Sequence, residues 1–208
     1  SGRGYGIAAG HAVWLAGSCD VLRITVGPPT RWMISLQQIA TYRDAVRSAD
    51  LASKLGELDW CLAGTPPLGL ALEGSDIDIL CHVRDYDEFA GLIWRSFANF
   101  EGFSIRQWAK APHAVVATFH CDGWPFEIFG EKRPLRKQAG FRHYEVERRL
   151  LALGGIVFHE KVIVARRGGL KTEPAFAAVL GLAGDPYAAM LDLFDADDTT
   201  LAALIAAG

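Results

Sequence analysis

An alternation of polar and apolar residues in the segment Asp76–Cys81 most restricts the fold of this chain. Asp76 and Asp78 alternate with Ile77 and Ile79, and a period of two is that of a half-buried β-strand. Successive side chains of a strand point to opposite faces of its sheet. The isoleucines can therefore enter a core while the two aspartates leave together from the other face. A strand of this kind needs partner strands, so the chain is expected to contain a sheet.

Further strands are predicted on both sides of this segment. The short apolar run Trp60–Ala63 precedes it, and Ile105–Trp108 follows it. Two β-rich runs, Ala114–His120 and Trp124–Phe129, are separated by Cys121-Asp122-Gly123, and an Asp-Gly pair between such runs is typical of a hairpin. These segments together predict a small sheet.

Helical patterns surround the predicted strands. One helix is expected from about Ser35 and a second, short one to about Leu58. Asp85 followed by Glu88 resembles a capping box at the start of a helix over Tyr86–Phe97. After Gly130 the whole pattern is helical. The predicted helices are Gln138–Leu153, His159–Arg167, Glu173–Leu180, Pro186–Phe194 and Thr199–Ala207, with Thr172 and Asp185 as N-caps. A small mixed sheet flanked by helices and followed by a helical part is an α+β fold.

The two aspartates are candidate metal ligands. Carboxylates on one strand face repel each other unless a positive charge lies between them, and a divalent cation such as Mg²⁺ takes oxygen ligands. A lone Asp-x-Asp is more typical of a solvated strand face. Glu127 favours a metal site over a solvated strand face. It lies in the otherwise apolar strand Trp124–Phe129, where an ionised carboxylate is costly unless it is paired or metal-bound. If this strand lies beside Asp76 and Asp78, three carboxylates converge as in a two-metal site for phosphoryl or nucleotidyl transfer.

A glycine turn precedes the aspartates and is a candidate phosphate-binding element. Gly64 allows backbone N–H groups to approach phosphate oxygens, and the hydroxyl of Thr65 adds a donor. Pro66 and Pro67 cannot continue a regular sheet ladder, so a loop is expected after the turn. Gly-Thr turns are common, and the feature is weak by itself.

Basic residues are concentrated in the segment 132–149. Arg142, His143 and Arg148 are candidate triphosphate contacts, since guanidinium groups match phosphate geometry. The alternative is a solvated helix face with intrahelical ion pairs. Lys171, just before a predicted helix start, is placed either to bind an anion or to be an ordinary surface lysine.

Taken together, these residues resemble the signature of the polymerase-beta-like nucleotidyltransferase superfamily. That signature is an apolar residue and Gly-Gly or Gly-Ser, a gap of about a dozen residues, Asp-x-Asp between apolar residues, and a third carboxylate on a later strand. Here the elements are Leu62-Ala63-Gly64-Thr65, Asp76-Ile77-Asp78-Ile79 and Glu127. Thr65 stands where serine is usual and keeps the hydroxyl.

Within that superfamily the chain looks most like one bacterial branch, the domain of unknown function 4269 family. The resemblance extends over about residues 36–194. The blocks that carry it are Gly64-Thr65-Pro66-Pro67-Leu68-Gly69, Ser75-Asp76-Ile77-Asp78-Ile79, Phe126-Glu127-Ile128-Phe129, Arg142-His143-Tyr144, Glu147-Arg148-Arg149-Leu150-Leu151, Gly169-Leu170-Lys171-Thr172-Glu173-Pro174-Ala175-Phe176-Ala177 and Gly184-Asp185-Pro186-Tyr187.

The resemblance implies a nucleotidyltransferase-like fold and a metal-dependent reaction. Asp76, Asp78 and Glu127 would be the catalytic and metal-binding residues, with Mg²⁺ or Mn²⁺ as cofactor. A nucleoside triphosphate would donate its nucleoside monophosphate to a hydroxyl of an unknown acceptor (a small molecule, a protein or RNA), and pyrophosphate would leave. The residues implied in nucleotide or phosphate binding are Gly64, Thr65, Ser75, Arg142, His143, Arg148 and Lys171.

Two other functions stay open at this point. A phosphohydrolase would use the same carboxylates with water as acceptor, and it would release nucleoside monophosphate without any acceptor. A non-catalytic nucleotide-binding module would keep the fold without the reaction, although the intact carboxylate trio argues against this.

Composition bears on the binding partners and the cellular compartment of this protein. The net charge of -3 does not indicate general nucleic-acid binding, which usually needs a basic face. Four scattered cysteines form no C-x-x-C pair and favour reduced thiols in a cytoplasmic protein. No apolar stretch reaches the length of a membrane span, so no membrane association is expected.

The breaker cluster Gly27-Pro28-Pro29-Thr30 marks a boundary in the chain. Residues 1–32 are expected to be an N-terminal extension, non-native or disordered, that contributes no site residue. The segment 33–208 is expected to be one nucleotidyltransferase-like domain. Its catalytic core, 33–135, would contain the sheet, and 136–208 would be the helical part.

Overall fold

The structure is a computed structural model that describes residues 41–108 and 113–208. The predicted extension over residues 1–32 and the predicted helix start near Ser35 lie outside these ranges. Helix α1 (Tyr42–Ala49) follows Thr41, whose hydroxyl accepts a hydrogen bond from the backbone N–H of Asp44 in a capping box. The short helix α2 (Leu51–Leu55) comes next and ends before Leu58.

Five strands of the described ranges form one mixed sheet. They are β1 (Asp59–Ala63), β2 (Ile77–His82), β3 (Glu101–Trp108), β4 (Ala114–Cys121) and β5 (Trp124–Glu131). Their order across the sheet is β1-β2-β5-β4-β3. β2 and β5 run parallel, and the other neighbouring pairs are antiparallel. Asp76, which we expected within the strand, immediately precedes β2.

The predicted hairpin is confirmed between β4 and β5. Asp122 and Gly123 form its two-residue turn, and both have positive φ, 51° and 81°. Positive φ at both central positions matches the right-handed twist of the flanking strands, which is why Asp-Gly is favoured there. This turn fixes the register of β5, and with it the position of Glu127.

Seven α-helices are present in the described residues, and α3 (Tyr86–Phe97) joins β2 to β3. Asp85 caps it by accepting hydrogen bonds from the backbone N–H groups of Asp87 and Glu88. A short 3₁₀ helix, Leu135–Lys137, follows the sheet. The remaining helices are α4 (Ala139–Arg167), α5 (Thr172–Leu180), α6 (Pro186–Asp192) and α7 (Asp198–Ala207).

The helices predicted over Gln138–Leu153 and His159–Arg167 correspond to the two parts of α4, which are separated by a kink at Gly155 (φ 58°, ψ −156°), where glycine tolerates a conformation closed to other residues. One cap prediction needs correction. Thr172 is not the N-cap of α5. The extended backbone of Lys171 places that lysine at the cap and Thr172 in the first turn.

The apolar side chains divide into two main cores. Ile77, Ile79, Phe126 and Ile128 enter the first core, together with residues of α1, α2 and α3. The second core lies among α4, α5, α6 and α7 and includes Phe176. A smaller cluster on the opposite sheet face joins the sheet to the beginning of α4. It contains Ala63, Leu80 and Leu135, with Phe129, Phe141 and Tyr144 packed against them.

The side chains of Asp78 and Glu127 therefore leave the sheet on the face opposite the first core, next to the start of α4.

Within the described part of the chain, no helix combines the length and apolar character that a membrane span requires.

Candidate active site

Asp78 and Glu127 are direct neighbours in the sheet. They occupy the same register position in the parallel pair β2–β5, so their side chains leave from the same face. Asp76 lies two residues before Asp78 and lines the same cleft. The cleft has a volume of about 610 Å³. The structure thus brings the three predicted carboxylates to one cavity of a size that accepts a small ligand.

The surroundings of Asp78 disfavour its charged form. Its pKa is raised to about 7, mainly by burial and also by the neighbouring carboxylates of Asp76, Glu127 and Glu173. No residue of the described chain gives the Asp78 side chain a hydrogen bond or an ion pair. An ionised Asp78 is therefore uncompensated, and a bound cation would relieve both its desolvation and the repulsion.

Glu127 has a partner that the sequence did not indicate. Nη2 of Arg106, on β3, lies 3.4 Å from Oε2 of Glu127. In the described ranges no three His, Cys, Asp or Glu side chains are arranged as a ready metal-binding group. The donor chemistry nevertheless fits a hard divalent cation, because Asp76, Asp78 and Glu127 supply only carboxylate oxygens and Asp78 is uncompensated.

The glycine turn lies against the aspartates. Ala63 pairs with Asp78 across β1 and β2, and Gly64 follows with a φ of 77°. Gly64, Thr65 and Ser75 all line the cleft.

The loop between the turn and β2 is held by its own hydrogen bonds. The backbone N–H of Leu70 donates to the carbonyl oxygen of Thr65 over 3.0 Å, and the N–H of Leu72 donates to Oγ of Ser75 over 2.8 Å. The predicted loop at Pro66-Pro67 is confirmed, and it is ordered by these contacts.

The opposite wall of the cleft comes from one face of α4 and from the beginning of α5. His143 and Glu147 of α4 line it together with Lys171 and Glu173. Nδ1 of His143 lies 3.3 Å from Oε1 of Glu173, and its Nε2 lies 3.0 Å from the carbonyl oxygen of Tyr187. His143 and Lys171, two of the candidate phosphate contacts, thus lie at the cleft.

Arg142 and Arg148 lie elsewhere. Arg142 pairs with Asp195 at 3.3 Å and covers the ring of Phe194. Arg148 makes two hydrogen bonds to Glu145, at 2.9 and 2.8 Å. Neither arginine lines the cleft. These two candidate phosphate contacts therefore lie outside the cleft, and Arg148 makes the intrahelical ion pair that was considered as the alternative.

Several cleft residues were not singled out from the sequence. Arg133 lines the cleft and holds the buried Glu131 through two hydrogen bonds of 2.9 Å. Arg166, Glu147 and Glu173 line it as well. The helical spacing of Gly140, His143, Tyr144 and Glu147, which marks one face of α4, is the signal that could have identified Glu147.

Several solved structures match part of this chain at low sequence identity. The Cid1 poly(U) polymerase bound to MgATP is 14% identical, with a TM-score of 0.49 over 76% of this chain and 49% of that chain. The GLD-2/RNP-8 complex gives 13% identity and a TM-score of 0.45 over 79% of this chain and 72% of that chain. The polymerase core of TRAMP, an RNA surveillance complex, is 18% identical, with a TM-score of 0.40 over 80% of this chain and 58% of that chain. This chain spans about half the length of the Cid1 chains that it matches.

Comparisons of sequence give one family. No protein with a curated function matches this chain. The family model described as "Domain of unknown function (DUF4269)" matches residues 44–193, which include Gly64, both aspartates, Glu127 and the α4–α5 wall of the cleft. The match confirms the family expected from the sequence motifs, and the chain is a member of the DUF4269 family.

Proposed function

We propose that this protein is a metal-dependent nucleotidyltransferase, which transfers a nucleoside monophosphate from a nucleoside triphosphate to an acceptor hydroxyl and releases pyrophosphate. The observation that carries the proposal is the position of Asp78 beside Glu127 on adjacent parallel strands, in a cleft that also contains the Gly64-Thr65 turn. Converging carboxylates next to a turn with accessible backbone N–H groups suit a triphosphate and its metal.

Each cleft residue has a role in this proposal. Asp76 and Asp78 would hold Mg²⁺ or Mn²⁺, and Glu127 would complete the metal site and accept the proton of the acceptor hydroxyl. The bound cation would neutralise charge on the phosphate oxygens. Arg106 restrains Glu127 while no cation is bound, because it pairs with the same carboxylate.

The phosphate contacts come from the two walls of the cleft. Gly64, Thr65 and Ser75 would approach the phosphates from the sheet side, and Lys171 and His143 from the helical side. Lys171 lies at the N-cap of α5, where the helix also favours negative charge. These residues position the triphosphate and offset its charge, which is the main task of the protein in such a reaction.

Thermal unfolding of the parent protein and of Asp78→Asn tests the proposal. Asparagine keeps the shape of aspartate but removes the charge that the cation needs. We expect MgATP or another Mg-nucleoside triphosphate to raise the Tm of the parent and to raise that of Asp78→Asn much less. Without metal, the variant should be as stable as the parent or more stable, because a repelling carboxylate is gone.

Asp192→Asn, an exposed aspartate at the end of α6, is the matched control and should respond to MgATP like the parent. A variant that melts lower in chelator and yet gains as much from Mg²⁺ as the parent would contradict the metal site. Release of nucleoside monophosphate from the triphosphate without any acceptor would identify a phosphohydrolase instead.

A further inference from the structure

Glu147 is a buried carboxylate that faces the cleft without a partner. It lies on α4, its exposed fraction is 4%, and it lines the cleft. Among the residues described, none makes a hydrogen bond or an ion pair with its side chain. Buried carboxylates are normally paired or hydrogen-bonded, because desolvation of an isolated one is costly. The position of Glu147 therefore indicates that a ligand supplies the missing donor.

The neighbouring side chains do not supply it. Glu173 is a second acid of the cleft, close enough to raise the pKa of the Glu147 carboxyl, and it has His143 as its partner. Arg166 donates from Nη1 to the carbonyl oxygen of Leu70, and its Nε is buried without a hydrogen bond. No nitrogen of Arg166 lies within ion-pair distance of Glu147, so the guanidinium leaves that carboxylate unpaired.

The charge of the cleft points to the kind of ligand. The guanidinium of Arg133 is paired with Glu131. The other Lys and Arg side chains that line the cleft, Arg166 and Lys171, are outnumbered by its carboxylates. A triphosphate with its metal brings no surplus positive charge and offers no N–H donor to Glu147. An acceptor that brought only phosphates to this carboxylate would add repulsion. A protonated amine supplies both positive charge and N–H donors.

Resting on the proposed function, we propose that Glu147, with Glu173, binds a protonated amino group of the acceptor. The acceptor is then a small compound that carries an amine and a hydroxyl, of the amino alcohol or amino sugar class. The cleft volume of about 610 Å³ suits a molecule of that size beside a nucleotide. The amine would be bound and left unmodified, while the hydroxyl reaches the Asp78–Glu127 end.

Binding of matched pairs of small molecules tests this assignment. The probes are glucosamine against glucose and ethanolamine against ethylene glycol, measured by titration calorimetry at neutral pH without nucleotide or metal. We expect the amines to bind more tightly than their neutral counterparts. Glu147→Gln, which keeps size and hydrogen-bonding capacity but loses the charge, should weaken amine binding by about tenfold or more.

The matched control is Glu160→Gln, which removes the same charge from an exposed position of the same helix. Its amine affinity should equal that of the parent. Glu173→Gln is a second cleft variant and should weaken amine binding too, so the test does not depend on the folding of one variant. MgATP binding, measured separately, should survive Glu147→Gln.

Two outcomes would overturn the inference. One is equal affinity for the amines and their neutral counterparts, or an amine affinity unaffected by Glu147→Gln. The other is a change in preference among ATP, CTP, GTP and UTP in Glu147→Gln without a change in amine binding, which would assign Glu147 to the nucleobase. Failure of the proposed function is seen separately, as MgATP binding that does not depend on Asp78.

Discussion

The carboxylate of Asp78 occupies the space in which residue 64 would carry a side chain. A methyl group added to Gly64 would overlap Oδ2 of Asp78, and the φ of 77° at Gly64 is one that side chains of L-residues rarely adopt. Glycine is therefore needed here for two reasons, the backbone conformation and the close approach of a carboxylate. The turn and the aspartate form one unit, in which the position of either depends on the other.

Gly64→Ala should damage ligand binding as well as stability. The positive φ costs about 1–2 kcal/mol for alanine, and the overlap with Asp78 adds to this. Displacement of Asp78 should also reduce the rise in Tm given by MgATP. Gly181→Ala is the control, because Gly181, which follows α5 and does not line the cleft, has a φ of 65° with no atom near the added methyl group. It should lose comparable backbone stability and keep the full response. An equal rise in Tm with MgATP in both variants would show that the Gly64 turn does not position the binding site.

The stability of the metal-free protein should depend on pH through Asp78. Its pKa is about 7 in the folded state against an ordinary 3.8, so the folded state holds the proton more tightly than the unfolded state. The contribution of neutral Asp78 is complete below about pH 4 and is lost as pH rises through about 7. The unfolding free energy of the parent should thus fall relative to that of Asp78→Asn, by on the order of 1–4 kcal/mol.

Denaturant unfolding of both proteins in chelator, at several pH values, measures this difference. A difference in unfolding free energy that stays constant across the range would mean that Asp78 does not titrate as described. Mg²⁺ should bind the parent more tightly as pH rises through 7, because the cation requires the ionised carboxylate.

Arg106→Gln should strengthen metal binding. Arg106 pairs with Glu127 at 3.4 Å while both side chains are partly exposed, so loss of the pair should cost at most about 1 kcal/mol of stability. Glu127 would then be free to turn toward Asp78. We expect Mn²⁺, measured by calorimetry, to bind several-fold more tightly. Arg84→Gln, an exposed arginine beyond the end of β2, should leave Mn²⁺ binding unchanged. Weaker binding in Arg106→Gln would show instead that the arginine holds Glu127 in its ligand position.

Lys171→Gln should weaken MgATP binding, and Arg148→Gln should not. Lys171 lines the cleft at the N-cap of α5, whereas Arg148 is engaged by Glu145 on the outer side of α4. A lost lysine–phosphate contact should raise the Kd by about tenfold. Fluorescence or calorimetric titration of both variants measures the contrast. If Arg148→Gln weakens MgATP binding and Lys171→Gln does not, the helical wall described here is not the one that meets the triphosphate.

The local elements of this fold follow from short stretches of sequence. Alternation predicts the strand β2, Asp122-Gly123 predicts the β4–β5 hairpin, and Asp85 predicts the start of α3. Each of these depends on backbone preferences and hydrogen bonds among neighbouring residues. The Lys171 cap shows the limit of such signals, because Thr172 is as suitable a cap by composition and the actual cap is decided by the backbone conformation.

Motif spacing also indicated the three carboxylates. Whether they lie close together depends on how distant strands pair, which local sequence does not determine. Asp78 and Glu127 meet only if β5 pairs with β2 in parallel and in this register. That pairing depends on α3 and the β3–β4 strands between them, which return the chain to the other edge of β2. It is a property of the whole sheet.

The sequence by itself thus determined the strand and hairpin segments, the polar faces and the residues available for chemistry, because these are set by residues close together in the chain. The tertiary structure alone decided which of those residues share a cleft. Packing of Phe141 and Tyr144 against Leu80 and Leu135 sets the rotation of α4. That rotation places His143 and Glu147 in the cleft and leaves Arg142 and Arg148 outside it, since side chains around a helix cannot all face the same neighbour.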